Sequence, residues 1–105
     1  MASAVLTTTA QGYAGEIGDL VRELVRRHRA RGLKQADATE AAARDLGISA
    51  RRARAYVYGE AVSVVADEYF AVRDRFAKHL AREASRLAAE SALLDARRAA
   101  MQARG

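Results

Sequence analysis

An all-α fold is what this sequence predicts, and three observations carry it. Of its 105 residues, 26 are Ala and 16 are Arg, both strong helix formers. Proline is absent, so glycine is the only residue left to interrupt a helix. Large apolar side chains recur three and four residues apart rather than alternating, the period of a helix face. The expected organisation is a flexible N-terminal tail over residues 1–12, a three-helix domain over 13–60 and a long helical segment over 61–105, either one helix or a hairpin.

The first helix is expected over 13–31. Tyr13, Ile17, Leu20, Val21, Leu24, Val25 and His28 form one stripe, while Glu16, Asp19, Arg22, Glu23, Arg26 and Arg29 occupy the other face. Acids lead and bases follow, which suits the helix dipole. Gly32 and Leu33 then supply a C-terminal cap with its hydrophobic contact. A second helix opens at Asp37, with Glu40 three residues on completing a capping box, and ends at Gly47. After Ile48, Ser49 is the N-cap of a third helix from Ala50 to Tyr58, and Gly59 ends it.

Residues 63–101 hold neither Gly nor Pro. Leu80, Leu87, Leu94 and Met101 are spaced by seven; taken as d positions of a heptad, they put Ala77, Ala84, Ser91 and Arg98 at a. About 39 residues of helix would run roughly 58 Å, longer than the domain before it. The expectation is therefore a homo-oligomer, ring or dimer, with Tyr69, Val72, Phe76, Leu80, Leu87, Leu94 and Met101 at the interface between chains. A bent helix that covers its own domain is the simpler alternative.

Composition removes several function classes. Without Cys there is no disulfide scaffold, thiolate zinc site or thiol nucleophile. No apolar run approaches the ~18 residues of a membrane span, and the opening MASAVLTTTA lacks the charged start of a signal peptide, so the expected location is the cytoplasm. His79 and Glu83 form an i, i+4 pair with no third ligand near in sequence, and no Gly-rich phosphate loop follows a strand. Neither an enzyme, a metal site nor a cofactor is expected. The charge balance is 18 bases to 13 acids, net +5, which points to an anionic partner. Residues 1–59 hold 10 bases and 6 acids, net +4; residues 60–105 hold 8 and 7, net +1.

That surplus surrounds a recognisable spacing. Two helices joined by a short turn containing Gly are the pattern of a helix-turn-helix. Ala43 lies four residues before Gly47, where the helices cross most closely and a larger side chain would part them. Leu46 and Ile48 flank the glycine, and Ala53 and Tyr56 supply the apolar face of the next helix. The run Ala-Ala-Arg-Asp-Leu-Gly-Ile-Ser resembles the helix-turn-helix proteins of bacteria and phages. Ala53 is smaller, and Tyr56 bulkier, than the residues usual at those places.

The resemblance implies that residues 50–58 form a recognition helix lying in the major groove of double-stranded DNA. Arg51 and Arg54 are expected at base edges, with Tyr58 on the same outward face. Ser49, Arg52 and Arg44 are better placed for phosphate. A second basic patch, Arg26, Arg27, Arg29, Arg31 and Lys34, is expected either to flank the duplex or to compensate the helix dipole. Within this class the layout is similar to two phage-type groups. One is the small terminase subunit of tailed phages, which assembles a ring, recognises DNA for packaging and works with a large terminase subunit. The other is the dimeric transcriptional regulator. The short domain followed by a long helix inclines the reading to the terminase type, in the cytoplasm of a bacterial host cell. A third reading, from another class, is a helical adaptor that binds protein along the leucine stripe.

Overall fold

Each of the expected helices forms, and the first three end beside Gly32, Gly47 and Gly59. The computed structural model describes residues 10–60 and 62–104, which hold four helices and no strand. These are α1 (Ala10–Ala30), α2 (Gln35–Leu46), α3 (Ala50–Val57) and α4 (Ala66–Arg104). Residues 1–9, most of the expected tail, lie outside the described residues. Residues 10–12 belong to the first turn of α1, not to a tail.

The turn after α1 has the expected cap: Leu33 N–H reaches back to the His28 carbonyl, and Gly32 holds φ 104°. The start of α2 differs from expectation. Lys34 occupies the N-cap with extended backbone and makes no side-chain cap hydrogen bond. Asp37 is already helical, because the short connection from Gly32 reaches helical geometry three residues sooner; there it favours the first turn through the dipole. At Gly47, φ is 71° and ψ is 30°, and Ile48 N–H donates to the Ala43 carbonyl at 3.0 Å. Only glycine takes that conformation without a Cβ penalty. A Cβ there would lie 2.6 Å from Arg75 Nε, but that exposed side chain can swing aside, so the left-handed backbone is what requires glycine.

The core is built at the crossings. Ile17, Val21 and Leu24 of α1 meet Ala38, Ala42, Ala43 and Leu46 of α2 and Ala53 and Tyr56 of α3. Alanines at these places let the helices approach closely, and Tyr56 supplies the volume that Ala53 leaves out. Val64, Tyr69 and Val72 close the core from the side of α4. The Tyr13 and Tyr69 rings stack at 4.3 Å, the Tyr69 hydroxyl donates to Glu16, and Arg73 lies over the Tyr69 ring.

The expected interface between chains is therefore divided. Tyr69 and Val72 are 4 % and 2 % exposed within one chain, so they are core residues and not a seam for a partner. Phe76 packs beside them, and Leu80 is half-buried. These are heavy apolar side chains whose register faces α1, and covering them removes the most surface from water. Leu87, Leu94 and Met101 remain exposed. The 39 residues of α4 run on as one helix, which excludes the hairpin, and the chain extends over 61 × 37 × 19 Å. Residues 84–104, about 31 Å of helix, are all exposed and form an arm beyond the head.

Candidate nucleic-acid interface

The turn that joins α2 to α3 sets the direction of α3. Ser49 is its N-cap, with Oγ accepting from Arg52 N–H at 3.1 Å. At the other end the Tyr56 carbonyl accepts from Arg22 Nη1 of α1 at 2.9 Å. With both ends held and Ala53 and Tyr56 inward, the remaining face of α3 points away from the core. Arg51, Arg54 and Tyr58 are exposed there, and Ala50 and Ala55 are partly so. The backbone of α4 packs on α1 and α2 but makes no close approach to α3, so no other helix covers this face, and only Val62 and Ser63 of the described connection border it beside Arg51, Arg52 and Ala55.

Arg52 departs from its expected role. Its Nη2 donates to Glu68 Oε2 and to the Ser63 carbonyl, each at 2.6 Å, and its Nε donates to the other Glu68 oxygen. This two-pronged grip fastens α3 to the connection before α4 and raises the guanidinium pKa further above its already high value. The side chain is a clamp within the head and not an open phosphate ligand. Beside it the Tyr56 hydroxyl is buried with no hydrogen-bond partner among the described residues, and burial pushes its pKa up.

The second basic patch is also altered by its surroundings. Arg26 and Arg27 both hold Glu23, at 2.6 and 2.9 Å; Arg29 donates to Gln35; Arg31 donates to Glu83 of α4 at 2.7 Å. Lys34 alone of the five has no such partner among the described residues. In α1, α2 and α3 the arginines whose side chains have neither a hydrogen bond nor an ion pair to a described residue are Arg44, Arg51 and Arg54. All three lie on the last turn of α2 or on α3, beside the turn.

One cluster was not expected. His28 donates from Nε2 to Asp45 Oδ2 at 2.7 Å, and His79 approaches the other Asp45 oxygen at 3.8 Å and Glu83 at 3.7 Å. It joins α1, α2 and α4, and no local spacing connects residues so far apart in sequence. Glu83, held by Arg31 and then Arg86, has its pKa lowered to about 2. Among the described residues no group of three His, Cys, Asp or Glu side chains is arranged to hold a metal ion, and no helix is long and apolar enough to cross a membrane. Comparison with family models, with curated proteins and with solved structures finds no match for the chain.

Proposed function

We propose that the chain is a non-enzymatic protein that binds double-stranded DNA through α3, with copies joined through the arm of α4. The observation that carries this reading is the distribution of unpaired arginines. Within α1–α3 and the turns between them, Arg22, Arg26, Arg27, Arg31 and Arg52 are neutralised by acids of the same chain, whereas the side chains of Arg44, Arg51 and Arg54 have no partner among the described residues, and Arg51 and Arg54 share the face of α3 that no other helix covers. Arg51 and Arg54 are positioned for the paired acceptors of guanine or for phosphate, and Arg44 for the backbone beside them. Tyr58 extends the contact at the end of α3.

The arm bears on how the head is used. It offers one apolar stripe, and a ring needs two different surfaces per subunit while a two-fold pair needs only one. That favours the dimeric regulator type. The terminase type, with a ring and a large terminase subunit as partner, keeps in its favour the small head without a wing and the long helix that follows it.

Binding of the full chain to random duplex DNA across a salt series tests the reading. Retention that falls steeply with salt supports it. Arg51→Ala with Arg54→Ala should weaken binding about tenfold or more with helicity unchanged, since each lost charged contact is worth about 1–3 kcal/mol. No retention of the unmodified chain at low salt overturns it.

A further inference from the structure

We infer that residues 84–104 of α4 pair with the same segment of a second copy in an antiparallel orientation, in one register. The inference rests on the reading above that the arm's partner is another copy, and adds direction and alignment. Leu87, Leu94 and Met101 are 57 %, 59 % and 71 % exposed, one every two turns along one side, with Ala84, Ser91 and Arg98 between them. A stripe of this spacing is satisfied by a second helix lying along it.

Charge selects the direction. The first part of the arm carries Arg86, Glu90 and Asp95, with Arg86 held by Glu83 at 2.5 Å and only 3.9 Å from Glu90 at its other nitrogen, and the last part carries Arg97, Arg98 and Arg104. In a parallel pair Arg98 would face the second copy's Arg98 inside the seam, and Glu90 would flank the second copy's Asp95. Both are like-charge contacts, and the first is largely desolvated. Reversing one helix removes both. With Ser91 set against the second copy's Leu94, the neighbouring layers become Ala84 on Met101 and Leu87 on Arg98. Every large side chain of the stripe then meets a small one or the aliphatic stem of an arginine, whose head reaches water, and Leu93 stays outside the seam.

The same register places Glu90 beside the second copy's Arg97, and the two-fold repeats that pair. Sliding the helices by one heptad in either direction puts Glu90 on Glu90 or Arg97 on Arg97. Only the middle alignment avoids a like-charge pair at these flanking positions. Glu83, the next flanking residue, is already held by Arg31 and Arg86, so it contributes within the chain and not between chains.

The sign of one substitution separates the arrangements. By sedimentation equilibrium at low salt and without DNA, the full chain should dimerise. Glu90→Arg should weaken that association about tenfold, because it faces Arg97 twice, and adding Arg97→Glu should restore it. In a parallel pair Glu90→Arg would face Asp95 and tighten association, which overturns the inference while leaving self-pairing intact. A chain that stays monomeric at all concentrations overturns self-pairing itself, whatever its affinity for DNA. Because the chain has no Cys, disulfide trapping gives an independent reading. Ala84→Cys mixed with Met101→Cys should cross-link between unlike chains, and Ala84→Cys alone should not; cross-linking of the single variant with itself excludes the antiparallel pair.

Discussion

The two ends of α4 are one helix with the same small-residue background, yet apart from Phe70, which is exposed, their large apolar side chains meet opposite fates. From Ala66 to Leu80 the helix carries Tyr69, Val72 and His79 into the head, where each is buried. From Ala84 onward every described residue is exposed, including three leucines and a methionine. The first part has aromatic and branched residues in register with α1, and their burial offsets the cost of ordering them. The second part has leucines separated by alanines and has outrun the head. Its helix stands on alanine-rich propensity and on continuation from a turn already formed, which avoids the cost of nucleation. An exposed seam in one place and a filled core in the other show that helical spacing specifies a face but not what covers it.

The largest effect that can test this contrast is a cavity. Leu24→Ala should destabilise the head by about 2–5 kcal/mol in urea unfolding, and Leu94→Ala in dilute solution by less than about 0.5 kcal/mol. Similar losses at both positions would mean that the arm is part of the cooperative core. A smaller effect comes from adding volume. Ala43→Leu at the α1–α2–α3 crossing should cost about 1–3 kcal/mol, whereas Ala92→Leu on the arm should leave the unfolding midpoint nearly unchanged. Tolerance at Ala43 would show that the close approach does not depend on alanine.

The smallest expected effect lies at the junction of the two regions. Arg31 and Arg86 hold the Glu83 carboxyl at about 2, below its ordinary 4.5. A carboxylate depressed by folding stabilises the native state above the unfolded value and loses that contribution as pH falls from about 4.5 towards 2. Stability measured across that window should decline more steeply in the unmodified chain than in Glu83→Gln. Identical slopes would remove Glu83 from the acid response of the head.

Much of the head was legible because its signals are local. Gly47, Ser49 and the alanines around them specify a turn, a cap and a close crossing within a few residues of one another. Tyr69 and Val72 were assigned to a partner because periodicity is the same whether a helix faces its own chain or another. Arg52 was grouped with the DNA contacts because it shares a helix and a charge with Arg51; its carboxylate, Glu68, lies 16 residues on, across an irregular connection. The basic patch was half legible. Glu23 stands three and four residues before Arg26 and Arg27, a helical ion-pair spacing, whereas Glu83 is 52 residues from Arg31.

By itself the sequence determined the three helices of the head, the glycines that end them and the small residues where they cross, since propensity, capping and periodicity act over a single turn. Tertiary structure alone decided the long-range pairs, Arg31 with Glu83 and Arg52 with Glu68, and where α4 stops being core and becomes an arm. Those outcomes depend on which distant side chains arrive beside each other once the core closes, and no local spacing carries that information.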